Sequence, residues 1–317
     1  MPAYIAKRLL YLVPTLLFVL AGSFLLMQLI PGDPAALMLG PEASLTQIDA
    51  LREEMGLNRS VVVQFWEYLS RTVTGDLGKS LYFRQPVLDV VLARCETSLL
   101  LALLSMLFVL LAGVPAGIVA GLKPNTWLDK GVLAFALLGA SIPSFWLGLM
   151  LMLIVSVQLG WLPTSGFVSV LQTGNLANLR GLVLPSIVLG MANSALVARM
   201  TRTNLLEVMR ADYITTARAK GLPDRIVILR HAMRNAGIPI VTVLGFTFAG
   251  LLSGTAVTET VFALPGIGRL LVDSVLARDY PLIQGVMVFV AIVYMVLNLL
   301  VDVSYSLLDP RVRYDAR

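Results

Sequence analysis

Six stretches of this chain carry no charged side chain and are long enough to cross a bilayer: residues 9–30, 97–122, 131–160, 181–198, 238–258 and 281–301. An α-helix rises about 1.5 Å per residue, so roughly 20 apolar residues cover a hydrocarbon layer of about 30 Å. Backbone in lipid has to satisfy its own hydrogen bonds, which leaves helices or closed barrels. Continuous apolar runs, as opposed to alternating ones, select helices. The expected fold is therefore all-α: a polytopic membrane protein of six transmembrane helices. Composition agrees, with 57% hydrophobic and 14% charged residues against about a quarter charged in soluble domains.

The formal charge of +5 would point to nucleic acid in a soluble protein. Here the basic residues flank the apolar runs, and membrane orientation explains them without nucleic acid. Cys95 stands alone, which excludes an internal disulfide and a cysteine metal site, and the single His231 argues against a histidine metal cluster.

The first run follows Lys7-Arg8 and leads into Pro31-Gly32-Asp33-Pro34. It is longer than the apolar region of about 7–15 residues in a cleavable signal, so it reads as an uncleaved anchor. With the N-terminus inside, the inner segments collect Lys7, Arg8, Lys123, Lys130, eight basic residues between 199 and 237, and Arg311, Arg313 and Arg317. Most outer basic residues fall in the long 31–96 loop, which counts little in orientation. Both termini are expected to be cytoplasmic. The chain divides into 1–30, an N-terminal tail and first span; 31–96, a periplasmic insertion; and 97–317, a core of five spans with the loop 199–237 between the fourth and fifth.

The insertion contains signals for two short helices. Ser44 can cap the first, with Gln47 at the capping-box position and Gly56 as its stop. Ser60 can cap the second, where Val62, Phe65, Trp66, Leu69 and Val73 share a face. That stripe either packs on the protein's own spans, the simpler use, or lies at the membrane interface. Gly75-Asp76-Leu77-Gly78-Lys79-Ser80 resembles the end of a phosphate loop, but Val73 stands where the pattern needs its first glycine. It reads as a turn, and no ATP site is found along the chain.

Farther on, Trp161 is placed to anchor at the interface in a nearly uncharged loop, and Leu264-Pro265-Gly266-Ile267-Gly268 forms a turn flanked by apolar residues that can dip back toward the bundle. Trp161, Pro163, Pro265 and Gly266 are candidates for contact with an external partner, with a connector role as the alternative. Gly113, Gly117 and Gly121, and separately Gly250 and Gly254, recur at a spacing that permits close helix approach in lipid. Pro14, Pro115, Pro143, Pro185 and Pro239 lie in or beside spans and promote kinks. The clearest break is Ser141-Ile142-Pro143-Ser144. Ser141, Pro143 and Ser144, with Ser253 and Thr255, are candidates to line a translocation path. Glu259 and Asp302 lie near span ends and read as interfacial, which weakens an ion-coupled carrier because such carriers often use buried acids. One cysteine, one histidine and no acid pair within the membrane give no catalytic constellation.

The loop 199–237 holds eight Lys/Arg and three acids, far more than a connector needs. Asp212 can cap a helix at Tyr213–Lys220, Gly221 can end it, and Pro223 prevents its resumption. Tyr213, Thr216, Ala217 and Lys220 are expected on one face and Arg218 on another. The segment reads as a docking surface.

Within it, Thr215-Thr216-Ala217-Arg218-Ala219-Lys220-Gly221 resembles the peptide-importer form of the EAA loop of bacterial ABC-importer permeases. Thr215 and Thr216 stand where the general pattern has Glu and Ala, and His231, Met233 and Arg234 replace its Ile-x-Leu-Pro. Arg8-Leu9-Leu10, Pro31-Gly32-Asp33-Pro34, Gly75-Asp76-Leu77-Gly78, Gly160-Trp161-Leu162-Pro163, Pro265-Gly266-Ile267-Gly268-Arg269 and Arg278-Asp279-Tyr280-Pro281 are similar, in this order, to the first permease of the dipeptide/oligopeptide/nickel family. The resemblance implies a bacterial inner-membrane subunit, not an enzyme, with no cofactor of its own. It implies a second homologous permease, two cytoplasmic ATPases that bind ATP and Mg, and a periplasmic substrate-binding protein. Thr215, Thr216, Ala217, Arg218, Ala219 and Gly221, with Tyr213 and Lys220, would contact the ATPase. Short peptides would be the cargo, with glutathione, opines or chelated nickel as alternatives and an ion-coupled carrier as the reading from another class.

Overall fold

A computed structural model of the chain describes residues 2–29, 33–40, 43–54 and 56–308. Among them the chain is helical, with one isolated bridge between Lys79 and Pro86 in place of any strand. The helices are α1 (Pro2–Leu29), α2 (Pro34–Leu39), α3 (Leu45–Glu54), α4 (Val61–Val73) and α5 (Val87–Leu122). They continue with α6 (Trp127–Ser141), α7 (Ser144–Gln158), α8 (Val170–Thr173), α9 (Arg180–Met209), α10 (Asp212–Ala219) and α11 (residues 224–253). The last are α12 (Ala256–Val261), α13 (Ile267–Leu276) and α14 (Tyr280–Leu308).

Four continuous helical stretches are long and apolar enough to cross a membrane: Leu10–Leu29, Val87–Leu122, Leu176–Met209 and Tyr280–Leu300. Two bent pairs bring the number to six if each counts as one span: α6 with α7, bent by 101°, and the halves Asp224–Gly237 and Pro239–Leu252 of α11, bent by 49°. The third apolar run is thus broken in its middle into two helices. Ile142 takes an extended conformation and Pro143 serves as N-cap of α7. Each arm is about 22 Å long at helical rise, too short to cross alone. The Ser141 hydroxyl donates to the Leu137 carbonyl, 2.8 Å away. α5 and α9 extend well past their apolar runs. A π-helical turn, Val109–Gly113, precedes Pro115 in α5, where the ring removes a backbone donor.

The chain packs as two compact units, one of Pro2–Glu96 with Gly266–Val296, the other of Thr97–Pro265 with the helix from Leu297 on. In the first unit, α4 docks on α1. The Phe24 ring meets Phe65 edge-on at 5.4 Å and stacks on Tyr68 at 5.9 Å, and Ser23 and Tyr68 share a hydrogen bond of 2.9 Å. Burial raises the Tyr68 phenol above its ordinary range, against the opposing effect of the Ser23 hydrogen bond. Ser44 and Gln47 form the reciprocal capping box, and Gly56 is left-handed with φ +67°. Ser60 occupies the N-cap of α4 but makes no side-chain cap bond. The Gly75–Ser80 segment is a turn, closed by Gly78 N–H donating to Asp76 Oδ1 at 2.9 Å. Its Ser80 hydroxyl donates to Asp279 at 2.5 Å, and Asp279 also accepts from the Tyr82 and Leu282 amides. This buried carboxylate therefore pins the turn to the start of α14.

In the second unit, Gly113, Gly117 and Gly121 of α5 face α9. A Cβ added at Gly117 would lie 2.5 Å from the Ala198 carbonyl oxygen and 2.6 Å from Thr201 Cβ, and one at Gly113 would lie 2.8 Å from the Ser194 carbonyl oxygen. Gly190 of α9 reciprocates, with Phe108 and the Ser105 carbonyl at 2.8 and 3.0 Å from its added Cβ. The expected second glycine contact is absent: nothing lies within 4 Å of a Cβ at Gly250, and Gly254 meets only the Gly250 carbonyl of its own helix. Glu259 also departs from its interfacial reading. It is fully buried and accepts a 2.6 Å hydrogen bond from Ser98. The side chain of Asp302 lies outside the described residues.

Arg202 holds Asp129 with two bonds, Nε–Oδ1 at 2.5 Å and a terminal guanidinium nitrogen to Oδ2 at 2.7 Å, while the Asn125 amide donates to the same carboxylate. Asp129 is almost fully buried, so removing one partner leaves an uncompensated charge at a cost of about 3–5 kcal/mol, whereas an apolar pair of similar volume is often neutral. Asp129→Leu is expected to lower the thermal stability of the detergent-purified chain more than the double variant Asp129→Leu/Arg202→Met. In the same assay Gly117→Val should lose about 1–3 kcal/mol through overpacking, and Gly250→Ala should be neutral.

Candidate functional site

The loop between α9 and α11 folds as a helix seated on the chain's own core. α9 ends at Met209, and Ala211, extended at φ −72° and ψ 145°, serves as the N-cap of α10. Asp212 is therefore the first helical residue, not the cap expected from sequence, and its carboxylate enters the first turn where it complements the helix dipole. At the other end Lys220 is the C-cap and Gly221 is left-handed, with φ +74°. The Gly221 amide donates to the Arg218 carbonyl at 2.9 Å and the Leu222 amide to the Ala217 carbonyl at 3.4 Å. These two bonds make a Schellman motif, and its usual hydrophobic contact is present because Leu222 packs against the cluster that contains Ala217.

That cluster explains why α10 lies where it does. Ile214 and Ala217, three residues apart and so on one helical face, are buried with Leu205, Val227, Ala232, Ala236 and Ile240. Val114, Ile118 and Leu122 at the end of α5 pack against the same group. The seat thus joins α5, α9, α10 and α11. Asn235 donates to the Tyr213 hydroxyl at 2.8 Å, and Arg218 pairs with Asp224 at 3.3 Å.

The outer face consists of Tyr213, Thr215, Thr216, Arg218, Ala219, Lys220 and Gly221, all exposed. Ala217 parts from Tyr213, Thr216 and Lys220, with which it was grouped, because at 7% exposure it belongs to the seat. Arg202, counted among the basic residues of this loop, is consumed by Asp129. Ile214 was missed, although an apolar residue three before Ala217 in a polar helix is the signal for a buried face.

The remaining candidates scatter. Ser141, Pro143 and Ser144 are exposed at the α6–α7 break, Thr255 is buried, and the Ser253 side chain lies outside the described residues. Trp161 is exposed, and the Pro163 carbonyl accepts from the Ser156 hydroxyl at 3.2 Å. Leu264 does turn inward and packs with Phe262, Leu182 and Leu101. Pro265 is half-buried. Gly266 is buried as the N-cap of α13, so it offers no free surface in this structure.

The described chain is thus a multi-pass helical protein with a short capped helix, α10, seated between the ends of α9 and α11. The chain belongs to the family of binding-protein-dependent transport system inner membrane components, the permeases of ABC importers; that family matches residues 113–314 and its N-terminal companion matches 1–102. A putative peptide transport system permease protein of Brucella abortus (strain 2308) is 44% identical over 99% of this chain and all of its own length. The glutathione transport system permease protein GsiC of Escherichia coli (strain CFT073) is 44% identical over 98% of this chain and 99% of its own. A permease chain from inward-facing crystals of the MetNI methionine ABC transporter shares the fold, with a TM-score of 0.58 at 18% identity, covering 69% of this chain and 96% of that one.

No neighbouring atom comes within 4 Å of a Cβ at Gly221. A substitution at Gly221 therefore acts through the left-handed backbone and through what it adds to the outer face, not through crowding within the chain. Gly221→Val should cost about 1–2 kcal/mol of local strain and reduce uptake by whole cells, while Gly221→Asn, which tolerates the left-handed region, should retain most of it. Ala217→Asp should abolish the folded protein measured by size-exclusion chromatography, and Ala219→Asp should leave it folded.

Proposed function

We propose that this chain is one of two homologous permease subunits of an ABC importer for short peptides, and that α10 is the coupling helix on which a cytoplasmic ATPase docks. The observation that carries this reading is the division of α10 into a buried seat, Ile214 and Ala217, and an exposed polar face, Tyr213, Thr215, Thr216, Arg218, Ala219 and Lys220. A push on the exposed face passes through the seat into α5, α9 and α11 together, which suits a largely rigid-body response to ATP binding and hydrolysis. ATP and Mg belong in this scheme to two partner ATPases, and a periplasmic binding protein delivers the cargo.

Membership of the permease family supports the binding-protein partner, and the names of the relatives support a peptide cargo. Glutathione, itself a tripeptide, is the specific second reading because the GsiC relative is as similar as the peptide permease. The basic flanks at Lys7, Arg8, Lys123 and Lys130 and the basic α9–α11 loop favour cytoplasmic termini. Ser141, Pro143 and Ser144 at the α6–α7 break, with Ser253 and Thr255, remain the proposed path-lining residues. Trp161 and Pro163 are the proposed external contacts, with half-buried Pro265 secondary; buried Gly266 is withdrawn from the set.

Uptake of labelled dipeptide in a strain lacking this gene should be restored by the gene and competed by short peptides. Glutathione as the sole effective competitor would shift the cargo to the second reading. In a Cys95→Ser background, Ala219→Cys should cross-link to the ATPase subunit through a short bis-maleimide, and Ala217→Cys should not. Labelling of Ala219→Cys in intact cells by a membrane-impermeant maleimide would place α10 outside and overturn the proposal.

A further inference from the structure

The surface of α4 divides into three arcs when its residues are set about 100° apart. Gln64, Phe65 and Tyr68 form the arc that meets α1 through Gln28, Phe24 and Ser23. Glu67, Ser70 and Arg71 form a polar arc, in which Glu67 pairs with Arg59 and Arg71 with Asp76. The third arc is apolar and uncovered: Val62, Trp66 and Val73 are 66%, 62% and 76% exposed, with half-buried Leu69 at its edge on the side of Phe65. Docking on α1 therefore uses only part of the apolar face. Val63 is exposed as well, but within the polar arc between Ser70 and Glu67.

The place where α4 attaches says what covers the third arc. The apolar stretch Leu10–Leu29 of α1 is only 17% buried within the protein. Leu25, Leu26 and Leu29, beside the attachment residues, are more than half exposed. Exposed side chains on such a span face lipid unless another subunit covers them. Ser23, Phe24 and Gln28 all fall within roughly 9 Å of the end of the stretch, counted at helical rise. That is the depth at which amphipathic helices bury their apolar face, about 5–10 Å into the boundary between headgroups and acyl chains. Tryptophan concentrates at the same level. The exposed apolar surface of α1 thus continues onto α4.

We propose that α4 is an interfacial helix whose Val62, Trp66 and Val73 stripe lies in lipid at the membrane boundary reached by the C-terminal end of α1. The occupant of the uncovered face is the bilayer itself, and the polar arc faces water. α4 then fixes the base of the 31–96 insertion by two attachments, one to protein and one to lipid. The inference rests on the membrane-spanning reading of α1 and is independent of the cargo and of the role of α10.

The test uses the complete transporter in vesicles of phosphatidylcholine and phosphatidylglycerol. Single cysteines replace Val62, Trp66, Val73 and, as a control, Ser70 in the Cys95→Ser background, and each carries a nitroxide. Power saturation compares contact with oxygen, which partitions into lipid, and with water-soluble chromium oxalate. Oxygen contact should exceed chromium oxalate contact at the three stripe positions, with the ratio reversed at Ser70. Chromium oxalate dominant along the stripe would show a helix in water, and shielding from both reagents would show a protein cover; either overturns the proposal. In unlabelled protein, brominated phosphatidylcholine should quench a fluorescence component that Trp66→Phe removes, and no change between the two proteins would also refute it.

Discussion

The close approach of α5 and α9 is the contact on which the rest of the second unit depends. Gly113 and Gly117 on one helix and Gly190 on the other bring backbone against side chain and carbonyl with no room for a Cβ, and Gly121 leaves little. Between spans in lipid, association comes from packing and hydrogen bonds because lipid chains are as apolar as leucine. Small residues are the means of getting that packing. The seam also places Leu205 of α9 beside Ile118 and Leu122 of α5, and those residues form the floor on which α10 sits.

Charge in this protein is used sparingly and close to helix ends. Asp129 and Arg202 neutralise one another between α6 and α9, Glu259 accepts from Ser98, and Asp279 gathers a hydroxyl and two amides at the start of α14. A buried charge left alone would be expensive. Each of these therefore works as a fastener between segments distant in sequence. The 101° break at Pro143 is the opposite device, a place where backbone continuity is given up. Together they leave α10 as a polar platform joined to three spans at once.

Much of this was legible in the sequence. Uncharged runs of bilayer length fixed the helical class, Gly221 and Pro223 marked the end of α10, Ser44 and Gln47 marked a helix start, and the Ser141–Ser144 segment marked a break. These signals are local, because a left-handed residue or a missing amide acts on its own neighbours. Signals that depend on a distant partner held at Gly113, Gly117 and Gly121 and failed elsewhere. Gly250 and Gly254 have the same spacing as the glycines of α5 but an added Cβ there meets no other helix within 4 Å among the described residues, and Glu259 looked interfacial only because Ser98 is far away in sequence. Asp212 lost its capping role to the extended Ala211, which the side-chain preference for caps could not foresee.

By itself, then, the sequence determined that the chain is a bundle of apolar helices with a basic, capped segment between two of them, since length, charge and backbone chemistry are properties of each stretch alone. Tertiary structure decided which faces are spent. It turned Ala217 and Ile214 inward, consumed Arg202 in a pair, buried Gly266, and left one stripe of α4 uncovered. Helical periodicity shows that a face exists, but what covers it depends on atoms brought in from elsewhere in the chain.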